Sequence, residues 1–304
     1  PDQSGATTGP GGQPTGLPLP SAEQPGDPPF FDVLTPDPLQ ATNDVPSFYD
    51  RDCDSSLEEA ALVMCEFGDL DGELTVAVVG DSKIGQWMPA LEMIAEERGW
   101  LVRLYTKSGC SFTAAMTERD GAPYTECHAW SEELLERLTG DERPDVMVTS
   151  SIRAKALDAS GDRSTEALVE GYADYWRTLA AEGTWVVAIS DTPQPPENDV
   201  VPYECALEHA GKVASSCSWP SDDGIGSAPL RAAVDRLDTA VYVDMNPWVC
   251  PEQTCVAAYR NVLTYRQGSH ITATFVEVLT EPLAAYLVPV VEGVGEEARS
   301  GTSS

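Results

Sequence analysis

The feature that most constrains this chain is a short apolar run that ends in glycine and passes into a helical stripe. Thr75-Val76-Ala77-Val78-Val79 is continuous rather than alternating and stops at Gly80, as expected of a strand buried on both faces of a parallel sheet. Ile84, Trp87, Met88, Leu91, Ile94 and Ala95 then recur at steps of three and four, the stripe of an amphipathic helix. The alternation returns downstream. Strands are expected at 101–106, 145–149, 185–190 and 241–244, and Leu168, Tyr172, Tyr175, Trp176 and Leu179 mark another helix. Strand and helix repeated at this spacing predict an α/β fold with a doubly wound, mostly parallel sheet. One domain over about 46–290 accounts for the pattern. Residues 1–45 hold ten of the 24 prolines and six glycines without an amphipathic period, and read as a linker or wrapping tail. Phe30 to Leu34 is apolar enough to lie against the domain, and 291–304 reads as a flexible C-terminal tail.

Charge and cysteines narrow the setting. Eighteen Lys and Arg against fifty Asp and Glu leave a net charge of −32, which repels phosphate backbones and anionic lipid and argues against nucleic acid as a partner. No apolar run reaches the roughly 18–20 residues that span a bilayer. Eight cysteines, without the paired spacing of zinc ribbons, read as disulfides and an oxidising compartment. They allow 105 pairings, but closing each on its sequence neighbour gives four short loops. These are Cys53 with Cys65, Cys110 with Cys127, Cys205 with Cys217, and Cys250 with Cys255. The chain starts at Pro1 without a charged and apolar leader, so a signal peptide or a larger upstream portion is expected.

Ligands of an open parallel sheet bind beyond the carboxyl ends of its strands, which draws attention to Gly80-Asp81-Ser82-Lys83. Gly80 permits a sharp turn. Ser82 then stands at a helix start, where free N–H groups favour a developing anion, so it can be a nucleophile; the alternative is a helix N-cap. The chain has three histidines. His128 and His209 lie in or beside cysteine loops and read as structural or surface residues, whereas His270 follows the last expected strand on the same rim as Ser82. No phosphate-binding glycine pattern and no metal-ligand cluster can be assembled, so neither cofactor nor metal is expected.

Several blocks then fall into one order: Gln86-Trp87, Pro89-Ala90-Leu91, Lys107-Ser108-Gly109-Cys110, Asp191-Thr192-Pro193, Cys250-Pro251 and His270-Ile271-Thr272. With Gly80-Asp81-Ser82 they resemble the SGNH branch of the GDSL hydrolases. More closely still, they resemble the extracytoplasmic SGNH domains fused behind the multi-span acyltransferases of the acyltransferase-3 family, which O-acylate cell-surface glycans and lipids. The resemblance runs from about Cys53 to Leu287. It implies a three-layer α/β/α, flavodoxin-like fold in which Ser82 is the nucleophile, His270 its general base, and the N–H groups of Ser82 and Gly109 the oxyanion donors.

Two positions depart from that pattern. The family's Asp, three residues before the histidine, is Gln267 here. Its side chain or backbone carbonyl can orient the imidazole but supplies no charge; in serine proteases, exchanging the Asp for Asn costs about 10⁴ in rate. The expected machinery is therefore a Ser–His dyad. The Asn that supplies a third oxyanion donor is also absent from Thr149-Ser150-Ser151-Ile152-Arg153, leaving Ser150 or Ser151 to donate a hydroxyl or Arg153 to add charge. Lys83 and Lys107, two of only four lysines, are placed either in a positive substrate pocket or in surface ion pairs.

The implied function is serine-dependent transfer of an acetyl or other short acyl group to a cell-surface glycan or glycolipid. The donor would be supplied by a membrane acyltransferase module, with the domain held outside the plasma membrane by an upstream transmembrane region. An esterase of the same fold, or a silent glycan-binding scaffold, is the alternative.

Overall fold

The computed structural model describes residues 33–196 and 201–301, with side chains through residue 295. Most of the expected N-terminal linker, 1–32, and residues 302–304 lie outside them. A six-stranded sheet forms the centre: β1 (Cys65–Gly68), β2 (Leu74–Gly80), β3 (Trp100–Thr106), β4 (Val146–Ser150), β5 (Trp185–Ile189) and β6 (Ala240–Val243), in the order β1-β3-β2-β4-β5-β6. All neighbours run parallel except β1, which pairs antiparallel with β3 at the edge. This is the doubly wound sheet expected from the sequence. The antiparallel edge strand was not foreseen, because Cys-Glu-Phe-Gly is too short and too polar to stand out.

The sheet is covered on both faces, as its continuous apolar strands require. Val76 and Val78 of β2 point into one core with Ile84, Trp87, Leu91 and Ile94, while Ala77 and Val79 point into the other with Trp130, Leu134, Tyr172 and Trp176. The first layer holds α1 (Ser82–Gly85), α2 (Met88–Arg98), α6 (Ala273–Val278) and α7 (Thr280–Gly301). The second holds α3 (Thr125–Leu138), α4 (Thr165–Ala181) and α5 (Ser227–Val234). The stripe read as one helix from Ile84 is thus two, with Pro89 in the first turn of α2 as proline favours.

All four disulfides join sequence neighbours: Cys53–Cys65, Cys110–Cys127, Cys205–Cys217 and Cys250–Cys255. The first ties the segment ahead of β1 to the sheet edge, and the second ties the loop after β3 to α3. Among the described residues no helix is long and apolar enough to cross a membrane.

Residues 33–45, within the segment read as a linker or wrapping tail, lie against the domain: Thr35 bridges Val262, its N–H donates to Asn261 O at 2.7 Å, and Leu34 packs on the core. Beyond residue 290 the chain continues as helix to Gly301 instead of forming a flexible tail. Val291 is fully buried, and α7 passes Leu74 so closely at Gly295 that a Cβ there would collide with its side chain.

Candidate active site

Among the parallel strands, β2 is first in sequence and lies between β3 and β4, so successive connections leave it in opposite directions and open a crevice at its carboxyl end. Gly80 closes β2 with φ 143°, a backbone that L side chains rarely adopt, and a Cβ there would lie 2.9 Å from Ser150 O. Asp81 rather than Ser82 is the N-cap of α1, its Oδ1 accepting from Lys83 N–H at 2.8 Å. Ser82 is therefore the first helical residue, half-buried, with its hydroxyl released from capping.

The partner arrives from 188 residues away. A two-stranded hairpin, β7 (Tyr265–Gln267) and β8 (His270–Ile271), turns at Gly268 and brings His270 Nε2 to 2.8 Å from Ser82 Oγ. The Gln267 side chain is exposed; its backbone carbonyl accepts from the imidazole and so orients the ring. Burial pushes the His270 pKa down to about 3, with Lys83 and Arg266 adding positive charge nearby and Gln267 opposing them. The imidazole is thus neutral over the ordinary pH range, leaving Nε2 free to accept a proton from Oγ.

Lys83 was placed in a substrate pocket or a surface pair; it is neither. It is fully buried, and its Nζ meets Asp191 Oδ1 at 2.9 Å, Thr192 Oγ1 at 2.5 Å, Ser269 O at 2.8 Å and Ser269 Oγ at 2.9 Å. One ammonium thereby fastens the residue after Ser82 to the residue before His270 and to the segment leaving β5. Burial lowers its pKa, against which Asp191 favours the charged form. Lys107 is also turned inward, donating to the carbonyls of Ser56 and Glu59. Neither lysine forms the positive pocket suggested by the sequence.

Asp81 has a second task that sequence reading missed. Its Oδ2 accepts from Ser151 Oγ at 3.2 Å and from Ile152 N–H at 3.1 Å, tying the ends of β2 and β4 together. Full burial raises its pKa to about 6 despite these donors. A capping Asp is legible locally; its partners 70 residues on are not.

The oxyanion side is built from main chain. Gly109 follows β3 with φ 61°, and no backbone hydrogen bond among the described residues uses the N–H of Ser82 or Gly109. Arg153, half-buried, lies beside this loop. Its Nε and Nη2 hold Gly109 O at 3.1 and 2.6 Å and so fix the glycine loop, which Cys110–Cys127 also anchors. Ser150 is fully buried opposite Gly80, its Oγ closed off from solvent without a partner, so it is not placed to be the third oxyanion donor. Ser151 is spent on Asp81 and Ser111. A hydroxyl, a neutral imidazole acceptor and two unspent amides can together carry out acyl transfer through serine.

Comparison with solved structures bears on the fold. The periplasmic domain of a lipopolysaccharide acetyltransferase from Salmonella ser. Paratyphi A superposes with a TM-score of 0.53 at 10% identity, covering 72% of this chain and 85% of that one. A family two carbohydrate esterase from Clostridium thermocellum, solved with cellohexaose, gives a TM-score of 0.42 at 10% identity over 73% of this chain and 65% of that one. No curated protein matches by sequence. The family model described as "SGNH domain (fused to AT3 domains)" matches residues 52–285, more than three-quarters of the chain. A domain that carries Gly-Asp-Ser at the crevice of a doubly wound sheet and meets that family model over this span belongs to the SGNH domains found fused to AT3 domains.

Proposed function

We propose that this domain transfers an acetyl or other short acyl group through Ser82 to a hydroxyl of a cell-surface glycan or glycolipid. The observation that carries this reading is the 2.8 Å contact between His270 Nε2 and Ser82 Oγ. His270 takes the hydroxyl proton as Oγ attacks the acyl carbonyl, and the amides of Ser82 and Gly109 stabilise the tetrahedral oxyanion. Collapse expels the donor's leaving group, which receives the proton from His270, and leaves an acyl-serine. The acceptor hydroxyl then gives its proton to His270 and attacks the acyl carbon; collapse breaks the bond to Ser82 Oγ, which takes the proton back from His270, and the new ester is released. Water in place of the acceptor makes the same site an esterase. Four disulfides support an extracytoplasmic setting, and the family's fusion to AT3 domains supports a membrane acyltransferase as the source of the acyl group.

A serine-directed fluorophosphonate should label the wild-type protein at Ser82, and p-nitrophenyl acetate should release nitrophenol, both activities vanishing in Ser82→Ala. Equal behaviour of the two proteins would leave a non-catalytic scaffold as the better reading.

The pH profile is a second expectation. Since the base works in its neutral form and its pKa lies near 3, kcat/KM for a neutral ester should show no acid limb from His270 at the usual histidine value. In Asp81→Asn, which removes the carboxyl beside Ser82 that titrates near pH 6, turnover should hold down to about pH 5 and fall as His270 protonates in more acid solution. An acid limb centred near 6.5 that persists in this variant would contradict the cation-flanked imidazole.

A further inference from the structure

Arg266 is a buried cation that the described residues leave without an ion pair. It is 8% exposed, and its Nε is closed off from solvent with no hydrogen-bond partner. The carboxylate whose field reaches it, Asp44, is engaged elsewhere: Oδ2 accepts from Thr274 N–H at 3.1 Å, and its main-chain oxygen accepts from Ala273 N–H at 3.1 Å, both at the start of α6. Fifty acidic residues were available in this chain to neutralise such a group. Burying a guanidinium without a direct ion pair, with only the field of Asp44 to offset the charge, costs stability, and departures of this kind collect at functional sites.

Its place in the hairpin connects it to the reaction. The β7–β8 register shifts between Tyr265 and Gln267, so that Arg266 and Gln267 together stand opposite His270. Such an irregularity re-aims a side chain. Tyr265 points into the core, where it packs on Trp219, while the charge of Arg266 reaches the imidazole of His270 and Tyr49.

We propose that Arg266 anchors a subsite for an anionic group, a carboxylate or a phosphate, carried by the acyl donor or by the acceptor. This rests on the Ser82–His270 reading above. A guanidinium offers parallel N–H donors that match either anion. A substrate bearing its own negative charge would also offset the cationic field that disfavours the imidazolium. It would supply from outside the charge that Gln267 does not provide from within.

The test has two turnover arms and one binding arm. The donor arm compares p-nitrophenyl hemisuccinate with p-nitrophenyl butyrate. The acceptor arm compares glucuronate with glucose, and glycerol 3-phosphate with glycerol. Each is run with wild type, Arg266→Gln and Arg266→Lys. Wild type should favour the charged member in one arm by about tenfold or more in kcat/KM; Gln should lose that preference and Lys should keep part of it. Preference in the donor arm puts the charge on the acyl chain, and in the acceptor arm on the acceptor. Equal ratios in wild type and Arg266→Gln throughout would overturn the proposal. Calorimetry with succinate and with inorganic phosphate on Ser82→Ala makes the subsite measurable without turnover. Saturable binding that Arg266→Gln abolishes supports the subsite even if Ser82 proves idle, and no binding of either anion counts against it. The Gln variant removes a buried charge that has no direct ion pair, so its Tm should be unchanged or higher, which checks that it folds.

Discussion

In His270→Ala, ester turnover should fall by about 10²–10⁴-fold, the usual contribution of a positioned general base, with little change in Tm. The imidazole is half-buried and its hydrogen bonds to protein are one to Ser82 and one to the backbone of Gln267, so deleting it leaves no charge stranded. Ser82→Ala should lose at least as much. The double variant should be no worse than Ser82→Ala alone, since two groups that act as one unit cannot be lost twice. The readout is kcat/KM for p-nitrophenyl acetate across the four proteins of the cycle. If His270→Ala kept most of the wild-type turnover, or if the two losses multiplied, the hydrogen bond between these residues would not be the reacting pair.

Lys83→Met should be the most damaging change to the framework. It leaves the Asp191 carboxylate, 1% exposed, without the cation 2.9 Å away, and stranding one member of a buried pair costs about 3–5 kcal/mol. Denaturant unfolding should show this as a lower midpoint at unchanged slope. Adding Asp191→Asn should recover much of the stability by removing the uncompensated charge. Turnover should not recover with it. Without Nζ, the backbone and hydroxyl of Ser269 lose the donor that fixes them, and His270 is the next residue. A misplacement of about 1 Å costs on the order of 100-fold. If the double variant regained stability and turnover together, Lys83 would matter to folding alone.

The parallel sheet was legible in the sequence because its strands are buried on both faces and must be apolar without interruption, as Val76 to Val79 are. Ser82 and His270 were legible as types of residue in types of place, one after a buried strand and one ahead of the last helices. What joins them was not. Lysine is ordinarily a surface residue, and the partners of Lys83 lie 108 or more positions away at Asp191, Thr192 and Ser269. One signal was available: a lysine beside the nucleophile in a chain with four, together with an Asp-Thr-Pro block at a strand end. Ser150 and Arg153 were read for their chemistry, but burial and the carbonyl of Gly109 decided their roles. The helical continuation after residue 290 was hidden because the segment is rich in glycine and glutamate and its contact with Leu74 is made through a glycine.

The segment ahead of the family match gives the hairpin an outside mooring. Thr35 is stitched beside Val262, three residues before β7, and Asp44 holds the first amides of α6, which begins two residues after β8. A recombinant version trimmed to residues 52–285 would retain the nucleophile, the base and the lysine between them, yet would lose the anchorage on either side of His270 together with Tyr49. A piece able to hold that histidine in register therefore has to carry Thr35 and Asp44 as well as the nucleophile and the base, so trimming the N-terminal side reaches the catalytic centre through its general base.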